Sequence, residues 1–186
     1  MASISKGKED AFNELYARYS QAMFAYFYKM LYQDKDLAAD FTQSFFLKIY
    51  EKASSYKDAY AVSTWLYTIA YNMCKNEYRK QSRPDPIINM KVSLFDVIQP
   101  AGPQNVDSEI FQRHLQLAIN ALDPIHRECF VLRYQQELSI KEIAEILECP
   151  EGTIKSRIFY TLKKLSEKLI LFKPEAQKKR NERNAK

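Results

Sequence analysis

The chain has little glycine and no long apolar run, and each shortage excludes a class of protein. Only 3 of its 186 residues are glycine, whereas strand-rich folds of this length need many tight turns and usually place glycine in them. The low glycine content therefore favours a helical fold. No apolar stretch approaches the roughly 20 residues that a membrane-spanning helix needs, and no signal peptide is visible, so we expect a cytoplasmic protein.

Cysteine and histidine are equally sparse. Cys74, Cys129 and Cys149 lie far apart in the sequence, and the chain has only 2 histidines. Their spacing argues against a zinc site and against a disulfide framework. The sequence also has no glycine-rich phosphate loop, no nucleophile paired with a base and no cluster of carboxylates. It therefore predicts no metal, no cofactor, no small-molecule substrate and no enzymatic activity.

What the sequence does contain is a set of amphipathic segments divided by proline. Residues 84–108 hold four of the 7 prolines and are net negative, whereas the segments on both sides are net positive. Such composition without sustained periodicity is typical of a linker. We therefore predict an all-α protein with two small helical domains joined by a flexible linker. The predicted parts are a first domain at 1–83, the linker at 84–108, a second domain at 109–173 and a basic tail at 174–186.

The first domain is predicted to contain three helices. From Ala11 to Leu31, apolar residues recur at three- and four-residue steps, the spacing of one helical face. A second helix is predicted to begin near Asp36, as its N-cap, and to pack on the first. A third is predicted from about Ser63 to Lys80, ended by a basic, proline-containing segment.

The third helix has a distinct outward surface when its residues are sorted at about 100° per residue. The sorting directs Trp65, Leu66, Ile69 and Met73 inward. It directs outward, or to the flanks of that face, Tyr67, Thr68, Tyr71, Asn72, Lys75, Tyr78 and Arg79. Rings that alternate with cations suit unpaired bases, because a ring stacks on a base while a cation holds the backbone. Packing of the tyrosines on another helix explains the same pattern equally well.

The second domain is predicted to contain a helix-turn-helix. Its first helix runs from about Asp107 to Leu122, and Asp123 followed by Pro124 caps the next one. Ser139 and Glu142 form a predicted capping box, and the turn ECPEG leads into a long last helix. A short helix, a tight turn and a longer helix are typical of DNA-binding domains. The same order also occurs in plain helical bundles.

The last helix separates into an apolar stripe and a polar face. The stripe, predicted to lie in the core, consists of Ile154, Ile158, Leu162, Leu165 and Leu169. The outward face with its flanking cations consists of Thr153, Lys155, Ser156, Arg157, Phe159, Tyr160 and Lys163. No acid occurs from Thr153 to Lys164. Hydroxyls, rings and cations can bond base edges and phosphates in a major groove, so this face favours a recognition helix.

Four segments together resemble a known family. They are AFNELYARY, DLAADFTQSFFLKIYEK and STWLYTIAYNMCKNEYRK in the first domain, and LDPIHRECFVLRYQQELSIKEIAEILECPEGTIKSRIFYTLKKL in the second. In this order the segments resemble the extracytoplasmic-function group of the sigma-70 family, the small two-domain sigma factors of bacterial RNA polymerase. The resemblance covers nearly the whole chain and implies promoter-specific transcription initiation.

The resemblance also implies roles for particular residues. Asp36, Asp40 and Gln43 would contact the polymerase clamp helices, and the second domain would contact the polymerase flap. Asn72 would help hold a flipped-out base of the minus-10 element, with Trp65, Tyr67, Tyr71, Lys75 and Arg79 around the melted strand. The outward face of the last helix would recognise the minus-35 element. An anti-sigma factor is a further implied partner.

The chain departs from the family pattern at three positions. Ser44 stands where an acid is usual, Tyr160 where arginine is common, and Pro150 where a serine cap is usual. We expect clamp docking and minus-35 preference to differ in detail, and Pro150 to begin the last helix with Cys149 as a weak cap. Two alternatives remain at this point: a one-component regulator that binds DNA through the second domain alone, and a helical adaptor without a DNA role.

Overall fold

The computed structural model describes residues 1–59, 61–81 and 106–170, with backbone only for 106–109. All regular elements in these ranges are helical, as predicted. The N-terminal domain contains α1 (Glu9–Met30), α2 (Lys35–Lys52) and α3 (Val62–Gln81). The C-terminal domain contains α4 (Val106–Asn120), α5 (Pro124–Phe130), α6 (Ile140–Ile146) and α7 (Glu151–Lys168). Residues 84–105 of the predicted linker lie outside the described residues. Its last three positions, 106–108, form the start of α4. The predicted basic tail, 174–186, also lies outside the described residues.

The N-terminal helices form where their periodicity predicts, and α1 packs on α2 as expected. Met23 and Phe27 of α1, Phe45 and Ile49 of α2, and Leu66 of α3 have no exposed surface. The N-cap of α2 is Asp34, not Asp36. The Asp34 carboxylate accepts a hydrogen bond from the Leu37 amide at 2.9 Å, which leaves Asp36 in the first turn. Both aspartates suit a cap by residue type, so composition alone does not distinguish them.

Helix boundaries in the C-terminal domain follow the predicted caps. The Asp123 carboxylate accepts from the His126 amide at 3.2 Å with Pro124 in the first turn. Ser139 and Glu142 form the predicted capping box. Pro150, however, is itself the N-cap of α7 and provides no side-chain hydrogen bond. The prediction that Cys149 would cap this helix is therefore wrong, because the helix begins one residue later than expected.

The buried stripe of α7 differs from the prediction at one position. Ile154 and Leu165 are buried, but Leu162 is 42% exposed and Thr161 is only 1% exposed. Thr161 lies about 20° from Ile154 around the helix axis, whereas Leu162 lies about 80° away on the other side. The Thr161 hydroxyl donates to the Arg157 carbonyl at 2.6 Å, so its polar group is satisfied inside the core.

The two domains pack directly against each other. Leu66, Ala70 and Cys74 of α3 belong to the same apolar cluster as Ile143 and Ile146 of α6, and α3 contacts α6 along its buried face. Contacts between α1 and α5 extend this surface. We call it the interdomain contact. The sequence predicted two helical domains but not that they would share an apolar cluster; a second cluster, within the C-terminal domain, contains Ala118, Ile119, Leu122 and Leu165.

None of the helices in the described ranges is both long and apolar enough to cross a membrane.

Candidate nucleic-acid interface

The outward face of α7 is open to solvent over most of its length. Lys155, Ser156 and Lys163 are exposed, and Phe159 and Tyr160 expose 64% and 54% of their surface. The two rings contact each other edge to face, with centroids 5.4 Å apart. Large exposed rings are costly in water, and this pair lies among hydroxyl and cationic side chains. The arrangement suits contact with thymine methyl groups, base edges and phosphates.

Arg157 and Thr153 are half-buried at the flank of this face. The Arg157 guanidinium donates to the Cys149 sulfur at 3.6 Å, which ties it to the turn of the helix-turn-helix. Burial raises the pKa of Cys129 to about 12, and the Arg157 cation opposes that rise. Arg157 therefore lies against its own domain, and Lys155 is the freer of the two cations at the start of α7.

Tyr67 does not lie on an open surface in this structure, so its contact with the melted strand stays a prediction. The residue is only 5% exposed, and its hydroxyl donates to the Gln136 side-chain oxygen of the C-terminal domain. Burial raises the pKa of Tyr67 well above its ordinary value. The Tyr67 ring also packs edge to face on Tyr26 of α1, with centroids 5.5 Å apart. Packing of this tyrosine on another helix of its own domain, the alternative explanation of the pattern, is therefore what the structure has at this position.

Tyr71 and Trp65 are each half-buried. Burial raises the pKa of Tyr71, and the Arg157 cation acts on it in the opposite direction, so α7 is within electrostatic reach of α3. The Lys75 ammonium lies 5.6 Å from the Tyr71 ring centroid, a cation–π distance. Trp65 packs edge to face on Tyr56 at 5.5 Å. Rings and a cation predicted on this surface are present, but only part of each ring is accessible.

Asn72, Lys75 and Arg79 form the exposed part of the α3 surface. The Asn72 side-chain amide donates to the Thr68 carbonyl at 3.0 Å, one turn earlier on the same helix. Tyr78, predicted outward, instead donates from its hydroxyl to the Met30 carbonyl at 2.5 Å. This bond fixes the end of α1 against α3.

The three residues expected to contact polymerase lie together on α2. Asp36, Asp40 and Gln43 are all exposed and follow one another at steps of four and three residues, the spacing of one helical face. Ser44 lies beside them and lines a groove of about 530 Å³ between α2 and α3, together with Lys48 and Arg79. The expected polymerase surface and the exposed part of α3 are therefore neighbours.

Several polar groups at the interdomain contact were not singled out from the sequence. Tyr26 of α1 donates to the Glu128 carboxylate of α5 inside the core. Burial raises the pKa of Glu128 to about 8, although the Tyr26 hydrogen bond and the Arg127 cation act in the opposite direction. Nearer the edge, the Lys29 ammonium donates to the Gln116 side-chain oxygen at 2.7 Å. The sequence signal that could have identified this site was Glu128, the glutamate at the start of the otherwise apolar run ECFVL.

Arg127 is the most connected of these groups. Its guanidinium is 1% exposed and donates to the carbonyls of Asn120 at 2.7 Å, Leu122 at 2.9 Å and Ile119 at 3.4 Å. It also donates to the Met30 carbonyl of α1 at 3.3 Å. The guanidinium carbon lies 4.1 Å from the ring centroid of Tyr32. One side chain thus satisfies the hydrogen-bonding capacity of carbonyl groups at the C-terminal end of α4 and joins that end to the N-terminal domain.

Residues with metal-ligating side chains do not gather in groups of three anywhere in the described ranges. Cys74, Cys129 and Cys149 are free thiols, and the first two are buried.

Comparison with known proteins assigns a family to both domains. The family model for sigma-70 region 2 matches residues 15–84, and that for sigma-70 region 4 matches residues 112–165. The chain is 32% identical over 164 residues to an ECF RNA polymerase sigma factor, SigW of Bacillus subtilis, with 83% of this chain and 87% of that protein covered. It is 30% identical over 174 residues to the ECF sigma-E factor of Escherichia coli, with 89% and 90% covered.

Solved structures show the same similarity. The sigma factor RpoE in complex with the anti-sigma factor NepR, from Bartonella quintana, has a TM-score of 0.72 and 25% identity, with 88% of this chain and 99% of that chain covered. CnrH in complex with the cytosolic domain of CnrY shares the fold, with a TM-score of 0.66, 21% identity, and 90% and 93% covered. With both domains and their order matched, the chain belongs to the extracytoplasmic-function sigma factors of the sigma-70 family, which direct core RNA polymerase to promoters.

Proposed function

We propose that the chain uses three separate surfaces for initiation: α2 for the polymerase clamp, α3 for the minus-10 element and α7 for the minus-35 element. The single observation that carries the proposal is the coexistence, in one chain with region 2 and region 4 matches, of an exposed acidic α2 face and two cationic faces with accessible rings. We also propose domain limits of 1–83 and 109–173, a linker between them and a basic tail at 174–186.

The polymerase contact is centred on Asp40 and Gln43, with Asp36 one turn earlier. Their exposure on one face leaves their polar groups available to a partner. Ser44 places a hydroxyl where relatives usually carry an acid, so this face has one negative charge fewer. We expect the C-terminal domain to contact the polymerase flap as a second anchor.

The minus-10 surface is centred on the exposed part of the α3 surface. Asn72 holds an extruded base through its side-chain carbonyl oxygen, Lys75 and Arg79 contact phosphates, and Trp65 and Tyr71 offer rings for stacking. Extrusion of a base costs a few kcal/mol, and stacking contributes about 1–3 kcal/mol per base, so rings and cations together are sufficient. Tyr67 takes no direct part while the C-terminal domain covers it.

The minus-35 surface is the outward face of α7. Phe159 and Tyr160 lie on its centre, Lys155 and Lys163 reach the phosphates on either side, and Ser156 contacts base edges. Thr153 and Arg157 support the flank next to the turn. Because Tyr160 replaces a common arginine, this position gains an apolar contact and loses a bidentate donor for guanine, so the preferred sequence should differ there.

An anti-sigma factor and a cytoplasmic location complete the proposal. The solved RpoE structure contains the bound anti-sigma factor NepR, and the present chain offers a similar two-domain fold to such a partner. Nucleotide chemistry belongs to the polymerase, so the chain itself acts without enzymatic activity, in the compartment that holds the polymerase and the promoter.

The test is run-off transcription with purified core polymerase on a library of fragments from the host genome. The chain should confer initiation at defined start sites that share two upstream elements, and core polymerase alone should not. Asp40→Ala combined with Gln43→Ala should abolish initiation without lowering the thermal midpoint. Tight, specific binding of duplex DNA without polymerase would instead favour a one-component regulator.

A further inference from the structure

The groove between α2 and α3 carries an unbalanced positive charge. Its volume of about 530 Å³ falls within the range of small-ligand clefts, roughly 300–1,000 Å³. Three cations line it, Lys48 from α2 and Arg79 and Lys80 from α3, whereas Glu77 is the one carboxylate among the described residues that line it. A cleft lined by cations concentrates the potential that attracts an anion.

The carboxylate of Glu77 does not neutralise the other side of the groove. One of its oxygens lies 3.7 Å from the Lys80 ammonium, and the other accepts from the Gln81 side-chain amide at 3.3 Å. Both partners are on its own helix. Among the ion pairs of residues 1–59, 61–81 and 106–170, none involves Lys48 or Arg79. The charges of these two side chains therefore remain available to a ligand.

Helix stability explains the cations of α3 but not the cation of α2. Arg79 and Lys80 are in the last turn of α3, where positive charge interacts favourably with the helix dipole. Lys48 lies before the last turn of α2, in which Lys52 is the basic residue. One turn before Lys48, Ser44 supplies a hydroxyl and no charge, so Lys48 has no acidic partner at that helical spacing.

The remaining groups of the groove suit a phosphate. Ser44 and Asn76 are exposed neutral donors, and Phe41 and Met73 are half-buried apolar residues. A guanidinium contacts two phosphate oxygens at once, whereas an ammonium acts as a compact point charge. Because Lys48 and Arg79 come from different helices, they can contact different oxygens of one tetrahedral group.

We propose that this groove binds a phosphate group, with Lys48 on one side and Arg79 on the other. Two sources supply that chemistry, the backbone of promoter DNA and a free nucleotide. The backbone is favoured because Arg79 is exposed on the same α3 surface as Asn72 and Lys75. This source rests on the proposed function of α3, whereas phosphate binding in the groove does not. Lys48 then contacts DNA from the helix that also carries the proposed polymerase contact.

The variants change the charge of the groove at Lys48 alone. Lys48→Ala removes the charge, Lys48→Glu reverses it and Lys48→Arg keeps it. Lys52→Ala and Lys52→Glu are the matched controls, because Lys52 is exposed about one turn later on the same helix and is not among the residues that line the groove. Both lysines are exposed, so the thermal midpoint of every variant should stay close to that of the wild type.

The first measurement titrates the free full-length chain with inorganic pyrophosphate and with GTP at low ionic strength, followed by NMR. We expect saturable pyrophosphate binding that shifts signals of groove residues on both helices. Lys48→Glu should weaken it about tenfold or more, as expected for loss of a charge-assisted hydrogen bond. Lys48→Arg should stay within about twofold of the wild type, and Lys52→Glu should match it.

The second measurement follows promoter binding by the holoenzyme against salt, at core polymerase concentrations that saturate each variant. Lys48→Ala should reduce the slope of log affinity against log salt by about one, and Lys52→Ala should leave it unchanged. A changed slope assigns the groove to backbone phosphate. An unchanged slope with GTP binding that depends on Lys48 would overturn the backbone source and assign the groove to a free nucleotide.

Independence of both measurements from Lys48 would overturn the phosphate site itself. A chain that forms no holoenzyme would contradict the proposed function, while the pyrophosphate titration would still report on the groove.

Discussion

The two proposed nucleic-acid surfaces, on α3 and on α7, have similar residue types but differ in accessibility. Both combine rings with cations. On α7 the rings are open, with Phe159 64% exposed. On α3, Tyr67 is 5% exposed because its ring packs on Tyr26 of α1 and its hydroxyl bonds to Gln136 of the other domain. Periodicity along one helix reports the core of its own domain, but it carries no information about a second domain that arrives from elsewhere in the chain.

The largest expected effect is at the guanidinium that joins the two domains. Arg127→Ala removes four hydrogen bonds to main-chain carbonyls, which leaves buried acceptors unsatisfied. We expect the free energy of unfolding to fall by about 3–5 kcal/mol, measured by urea denaturation. Arg113→Ala, at an exposed arginine of α4, is the control and should change it by less than about 0.5 kcal/mol. Equal effects of the two substitutions would show that the buried position has no special role.

The buried carboxyl at the interdomain contact should make stability depend on pH. Glu128 faces Tyr26 of α1 and Cys74 of α3 and lies next to Arg127, and burial raises its pKa from 4.5 to about 8. Because the folded state binds the proton more tightly, this residue is tolerated below pH 4.5 and destabilises progressively as pH rises to about 8. The slope is at most about 1.4 kcal/mol per pH unit.

Glu128→Gln removes that titration and keeps the shape. We expect the variant and the wild type to have similar free energies of unfolding near pH 5, and the variant to be more stable by a few kcal/mol near pH 9. Urea denaturation at a series of pH values measures the difference. Parallel pH curves for the two proteins would show that Glu128 does not titrate in this range.

Within α3, substitutions of accessible and of covered residues should differ in their effects on stability and on promoter opening. Asn72→Ala should leave the thermal midpoint nearly unchanged and lower open-complex formation about tenfold, because Asn72 is exposed and its side-chain amide bonds to its own helix. Tyr71→Ala should lower both the thermal midpoint and open-complex formation, since the Tyr71 ring is half-buried. Permanganate reactivity of promoter thymines measures opening, and calorimetry measures the midpoint. A lower midpoint for Asn72→Ala would place it in the fold rather than in melting.

On α7, the smallest effect is expected at a single phosphate contact. Lys155→Ala should weaken promoter binding by the holoenzyme a few-fold and reduce the slope of log affinity against log salt by about one. Lys168→Ala, an exposed lysine at the far end of the same helix, should leave the slope unchanged. Identical slopes for Lys155→Ala and the wild type would exclude a phosphate contact at this position.

The sequence was sufficient for the helices and most of their caps because these depend on local pattern. Asp123 before Pro124 and the Ser139–Glu142 box are short-range signals, and both are confirmed. Thr161 was missed because a threonine can satisfy its hydroxyl on its own helix and enter a core. The covering of Tyr67 and the Tyr26–Glu128 bond were missed for a different reason. They join residues 69 and 102 positions apart, and no local period connects such positions.

The most direct test of the account is the distance between the domains in the free chain and on a promoter. Glu51→Cys in α2 and Glu167→Cys in α7, both exposed, carry spin labels in a Cys149→Ser background, while the remaining thiols are buried. We expect a single narrow distance distribution in the free protein, where α3 packs on α6, and a distance longer by tens of ångströms once core polymerase and promoter are bound. The same distance in both states would contradict this expectation.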